Sequence, residues 1–218
     1  MSDDRNWKEV FSSIETGIRT AEKDYKNAAY IPLCFGPEYL ISVRIFDSLL
    51  SLTTEDSLTL EMRKEQIDEY CRKKVKPGRP KTWLEWEPGS RIDICLWHKG
   101  SDRPRAIIEV KRNAENWQGL NNDIKRIVSV LNTNYHHKLT LGVLATCIFK
   151  KSEQEVKETE IKLRERIENY IHENDKKNHT TFLIKRSQTC KSDYRYGGTG
   201  DIYFWKPVVI EIRRVNRK

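Results

Sequence analysis

The sequence predicts a single α/β domain with a mixed central sheet flanked by helices. Three observations point there. Apolar residues recur at spacings of three and four in several segments, the mark of amphipathic helices. The stretches "RIDICLWH" and "PRAIIEV" alternate with period two, the mark of strands. The two kinds of segment then follow one another along the chain as they do in layered α/β domains. At 218 residues the chain is long enough to build one sizeable core.

The elements follow in order. Residues from about Asp4 to Tyr25 form a helix, because Trp7, Phe11, Ile14, Ile18, Ala21 and Tyr25 share one stripe. Gly36 and Pro37 signal the start of a second helix, with Glu38 in its first turn and Ile41, Ile45 and Leu49 on its buried face. A charged helix is expected over about Leu58 to Lys74, then a break at "KPGRPK" and a strand at "TWLEWEPG". The period-two strands around Asp93 and Glu109 come next, joined by the turn "HKGSDRP". "AENWQGLNNDIKRIVSVLN" places Trp117, Leu120, Ile124, Ile127, Val128 and Leu131 at helical spacing. "KLTLGVLATCIFK" reads as a long buried strand, and Gln154 to Glu173 as a very polar helix. "TTFLIKR" and "IYFWKPVVIEIRRV" close the chain as strands. The glycine-rich "YRYGGTGD" reads as a hairpin loop.

Composition bounds the function. No apolar run approaches the roughly 18 residues of a membrane helix, and the acidic start "MSDDRNWKEV" is unlike a secretory signal. The five cysteines are odd in number and widely spaced, which suits reduced thiols and a cytoplasmic location. The five histidines show no zinc spacing. A formal charge of +8 favours a polyanionic partner. The positive charge concentrates in "RKKVKPGRPK", where Arg72, Lys73, Lys74, Lys76, Arg79 and Lys81 are candidate phosphate contacts. Within it, "KPGRPK" resembles the Gly-Arg-Pro core of an AT-hook, although a basic linker stiffened by proline is the favoured account.

Asp93, Glu109 and Lys111 interrupt otherwise apolar strands, where unpaired charge is costly. Opposed residues of an antiparallel hairpin have numbers that add to a constant. Asp93 and Glu109 give 202, which centres the turn on Ser101, inside "HKGSDRP". The two carboxylates then stand opposite each other, with Cβ atoms about 4.5–5.5 Å apart, and Lys111 points to the same face. Carboxylates at that distance repel unless a cation lies between them. A hard divalent ion is held by such oxygens and keeps several waters, and a neighbouring lysine can orient a water or stabilise charge on a phosphate. A solvent-facing cluster of ion pairs is the structural alternative.

Asp93, followed sixteen positions later by Glu109-Val110-Lys111, resembles the PD-(D/E)xK nuclease motif. The resemblance spans residues 36–150 and implies a restriction-endonuclease-like core: a helix, a three-strand meander, a crossing helix and a fourth strand. Ile92 stands where the motif's proline would be. Residues 1–35 would add an N-terminal helix and 151–218 a C-terminal helix and strands, all in one domain. The resemblance further implies a Mg²⁺-dependent endonuclease, with Mn²⁺ as a substitute, that hydrolyses phosphodiester bonds, most often in DNA. Asp93 and Glu109 would hold the metal, Lys111 would serve the attacking water, and Glu38 would complete the catalytic set. The Val110 carbonyl is a further ligand in such enzymes. Three alternatives stay open: a catalytically silent nucleic-acid-binding module of the same fold, an RNA-directed nuclease, and an interaction protein whose long polar helices bind partners; those helices suit equally the homodimer interface that a double-strand cutter would need. Asp123, Lys125 and Arg126, on the polar side of the helix after the motif, read as ordinary solvated charge, with a substrate-facing role, which the resemblance implies, as the alternative.

Overall fold

The computed structural model of the chain describes residues 4–52, 56–63, 65–66, 90–100, 104–132, 139, 141–174, 180–185, 187–196 and 199–214. Its elements are α1 (Asp4–Ala29), a 3-10 turn (Leu33–Phe35), α2 (Glu38–Leu50), β1 (Asp56–Arg63), β2 (Arg91–His98), β3 (Pro104–Val110), α3 (Trp117–Asn132), β4 (Leu141–Lys150), α4 (Glu153–Asn174), β5 (Thr180–Ile184), β6 (Cys190–Tyr196) and β7 (Thr199–Arg214). They form the mixed sheet with flanking helices that the periodicities predict.

The sheet runs β1-β2-β3-β4-β7-β5, with β6 also paired to β7. Strands β1, β2 and β3 are an antiparallel meander, and β4 lies parallel to β3. The long β7 pairs with β4 along one edge. Its other edge takes β6 on the first half and β5 on the second. α1 and α2 cover one face over a core that includes Ile14, Ile18, Ile45, Ile94, Ile108 and Val143. α3 and α4 cover the other over Ile107, Leu120, Ile124, Ile127, Leu144 and Ile167. β3 is buried along its whole length because it lies inside the sheet with helices on both faces.

Two glycines set how closely the layers approach. A Cβ on Gly17 would lie 2.5 Å from the Ile45 Cα, so only glycine lets α1 meet α2 at that point. A Cβ on Gly142 would lie 2.1 Å from Ile127 Cγ2, where α3 rests on β4.

Two expectations need correction. The segment from Leu58 is not a helix up to residue 63 but strand β1, paired with β2 from Asp56↔His98 to Arg63↔Arg91. Its Leu58, Leu60 and Met62 alternate with polar residues, and neighbouring β2 offers a ladder that outweighs the helical propensity of Glu61 and Arg63. The first strand of the meander is therefore β1. Residues 65–66 are helical, and the remainder of the expected helix lies, with "TWLEWEPG", outside the described residues. "YRYGGTGD" is less a loop than predicted: Tyr194 to Tyr196 end β6, and Thr199 to Asp201 begin β7.

The long polar helices spend their apolar stripes within the chain. α1 buries Trp7, Val10, Phe11, Ile14, Ile18 and Ala21, and α4 buries Val156, Leu163, Ile167 and Ile171. Among the described residues no helix is long and apolar enough to cross a membrane. Cys34, Cys95, Cys147 and Cys190 are free thiols.

Candidate active site

Strands β2 and β3 pair as Ile94↔Ile108, Cys95↔Ile107 and Leu96↔Ala106, the register the hairpin arithmetic gives. Continued by one residue, it sets Asp93 opposite Glu109. A bulge between Leu96 and Trp97 then shifts the pairing towards the turn. Asp93 ends the ladder with its side chain: Oδ2 accepts the Val110 N–H at 2.6 Å.

Beyond Val110 the chain stays beside β4, with Lys111 N–H donating to the Ala145 carbonyl at 2.8 Å and Ala114 N–H to that of Cys147 at 2.9 Å. Lys111 is thereby held at the carboxyl end of β3, beside β4. Its Nζ donates to Glu38 Oε1 at 2.9 Å and lies 3.3 Å from Asp123 Oδ2. The Arg112 N–H donates to Glu38 Oε2 at 3.0 Å, and the Arg112 guanidinium to the Gly36 carbonyl at 2.9 Å. Glu38 is thus pinned by two successive residues, in the first turn of α2, where the helix dipole favours a carboxylate. The fold brings Glu38, Asp93, Glu109 and Lys111 to one place from α2, β2 and β3.

Glu109 has another partner. Arg126, on α3, grips it as a fork, with Nε donating to Oε1 at 2.9 Å and Nη2 to Oε2 at 3.1 Å. The same Nη2 donates to Asp123 Oδ1. The Glu109 and Asp123 side chains are each only 1% exposed. The reading of Asp123 and Arg126 as solvated surface charge is therefore corrected. A signal existed: Asp123 stands three residues after Leu120 and four before Ile127, inside the apolar stripe of α3. A carboxylate in that stripe must be buried and matched. Glu61 also belongs to the surroundings. The β1–β2 register sets it across from Asp93, and it holds a left-handed φ of 53°.

Burial dominates the electrostatics. It pushes the Asp93 carboxyl up to about 6, against the pull of the Val110 N–H and Lys111. It raises Asp123 to about 6, against Arg126 and Lys111, and Glu109 to about 8, against the Arg126 fork. Asp93 further raises both Glu109 and Asp123, and Asp123 raises Glu109, while Asp93 itself is raised by Glu38 and Glu61. Burial alone would lower Lys111, but Asp123 and Glu38 more than offset it and the net shift is upward. Lys111 therefore carries its charge at neutral pH.

Of four carboxylates, Glu38, Glu109 and Asp123 pair with two cations, Lys111 and Arg126, and Asp93 accepts the Val110 N–H. If all ionise, the cluster is two positive charges short, and the donors are hard oxygens. Among the described residues no three or more His, Cys, Asp or Glu side chains are arranged to hold a metal ion. Carboxylate oxygens are the donor type that Mg²⁺ takes, one or two of them with water completing the shell. Asp93 and Glu109 would supply those carboxylates. Arg72, Lys73, Lys74, Lys76, Arg79 and Lys81 lie outside the described residues.

The Asp93 shift has a measurable consequence. Its folded value of about 6 exceeds the ordinary 3.8, so the folded chain holds that proton more tightly than the unfolded chain. The associated stability is complete below pH 3.8 and is lost as pH rises through about 6. The difference is worth up to about 3 kcal/mol. In EDTA, Asp93→Asn, which keeps an oxygen for the Val110 N–H, is expected to melt above wild type at pH 8, by about 2–4 °C for each kcal/mol recovered. The two proteins should converge near pH 4. A melting difference independent of pH would mean that Asp93 is not held protonated by its surroundings.

Comparison with protein-family models, with curated proteins and with solved structures returned no match.

Proposed function

We propose that the protein is a Mg²⁺-dependent nuclease of the PD-(D/E)xK type, with a restriction-endonuclease-like core, that hydrolyses phosphodiester bonds in DNA. The supporting observation is the convergence of Asp93, Glu109, Lys111 and Glu38 at the carboxyl end of β3. The surrounding elements run in the order the motif implies: α2, the β1–β2–β3 meander, α3 and β4. Asp93 and Glu109 would hold the metal, which when bound supplies Lewis acidity and a nucleophilic water at neutral pH. The raised Lys111 ammonium makes a poor proton acceptor, so its role is to stabilise negative charge on the phosphate and to orient the attacking water. Glu38 keeps that ammonium pointed into the site, and its two hydrogen bonds fix its own position.

One observation favours a second reading, a silent binding module of the same fold. Each of the four carboxylates already has a partner inside the chain: Lys111 for Glu38, the Val110 N–H for Asp93, Arg126 for Glu109, and both cations for Asp123. Incubating the purified protein with supercoiled plasmid, linear duplex, single strands and RNA, each with Mg²⁺ or EDTA, separates the readings. Mg²⁺-dependent cuts in DNA support the nuclease. Binding without cleavage in any metal supports the module, and cleavage confined to RNA moves the substrate class.

Affinity for duplex DNA, measured in EDTA, is expected to fall steeply with salt, with a log–log slope of about −0.9 per phosphate neutralised. Changing Arg72, Lys73, Lys74 and Lys76 together to Ala should flatten that slope. If the slope is unchanged, the basic segment is not part of the contact surface.

A further inference from the structure

The fork from Arg126 to Glu109 has no part in the chemistry above. Both Glu109 oxygens accept from one guanidinium, and the carboxylate has 1% of its side chain exposed. A divalent ion on either oxygen would sit at contact distance from that guanidinium, two like charges on one buried acceptor. The geometry also contains a way out. Arg126 Nη2 is shared with Asp123, and the Arg126 side chain is 25% exposed, the most open of the three. Its guanidinium can release Glu109 and turn outward while Asp123 keeps hold of one nitrogen.

We infer that Arg126 is an internal cation that occupies the metal-binding carboxylate, that a divalent ion binds Glu109 only by displacing it, and that Asp123 is its second mooring. The inference rests on the metal role proposed for Glu109 and adds a step that controls it. Arg126 neutralises Glu109 when metal is scarce, so the site does not lose its shape to repulsion. The cost is weaker metal affinity, because only molecules with Arg126 released are competent. Asp123 is a positioning residue in this scheme and touches no substrate.

The test measures metal binding directly. Ca²⁺ titration by calorimetry should show Arg126→Gln binding about tenfold more tightly than wild type, the factor expected if about one molecule in ten is competent at rest. Arg126→Lys keeps the charge without the fork and should fall between them. In wild type, the Arg126 Nε–H resonance, assigned by its loss in Arg126→Lys, should shift on Ca²⁺ addition and lose its protection from solvent exchange. That measurement decides the matter if Arg126→Gln does not fold.

Wild-type binding with an unmoved Arg126 signal overturns the inference, as does equal or weaker binding by Arg126→Gln. If wild type meanwhile cleaves DNA, the nuclease reading stands and only the inference falls. If neither protein binds Ca²⁺ or Mn²⁺, the inference falls together with the metal assignment. Tighter binding by Arg126→Gln in a protein that cuts nothing upholds the inference and removes the nuclease.

Discussion

Asp93→Ala and Glu109→Ala are each expected to abolish Mg²⁺-dependent cleavage, with a loss of about 10³-fold or more. A metal ion in this role contributes several kcal/mol to the transition state, and each 1.36 kcal/mol is a factor of ten. The two changes should differ in stability. Asp93→Ala removes a carboxyl that burial already holds near 6, a gain above neutral pH that is offset by about 1–3 kcal/mol for leaving the buried Val110 N–H without its acceptor. Glu109→Ala strips Arg126 of its fork and leaves a half-buried guanidinium with Asp123 alone. Breaking a buried pair in this way costs about 3–5 kcal/mol. Glu109→Gln, which keeps the volume and one acceptor, should lose as much activity with less unfolding. Single-turnover cleavage beside a thermal melt separates lost chemistry from lost fold. Activity within a few-fold of wild type in a folded Asp93 or Glu109 variant would end the metal assignment.

Lys111→Ala is expected to lose turnover by about 10²–10⁴-fold, the range for a positioned acid–base or charge-stabilising group. Metal binding should persist. Lys111 makes no bond to Asp93 or Glu109; its partners are Glu38 and Asp123. Removing its positive charge should hold or tighten Ca²⁺ affinity. It also leaves Asp123, 1% exposed, with Arg126 as its remaining partner, so a drop in melting temperature should accompany the change. Lys111→Met, which keeps the length of the stem, controls for packing. Calorimetric titration with Ca²⁺ beside single-turnover cleavage tests both halves. Should Lys111→Met cut at the wild-type rate, or lose its metal, the role given to the lysine is wrong.

Local patterns sufficed for the class of fold and for half of the residues that meet at the candidate site. The stripe of Ile14, Ile18 and Ala21 and the alternation around Ile94 and Ile108 each follow from one element meeting one apolar layer, and such patterns are visible in a linear string. The register that brings Asp93 to Glu109 was also legible, because a hairpin has one turn and its arithmetic is local. β1 was not. Leu58, Leu60 and Met62 sit among charged residues that suit a helix equally well, and the ladder with β2 decided between the two. Arg126 was out of reach for the same kind of reason. Asp123 stands visibly inside the apolar stripe of α3, but nothing local says that a helix crossing from β3 to β4 will set Arg126 against a carboxylate seventeen residues earlier. Pairing between buried charges depends on where whole elements pack, and the tertiary structure alone fixed it here.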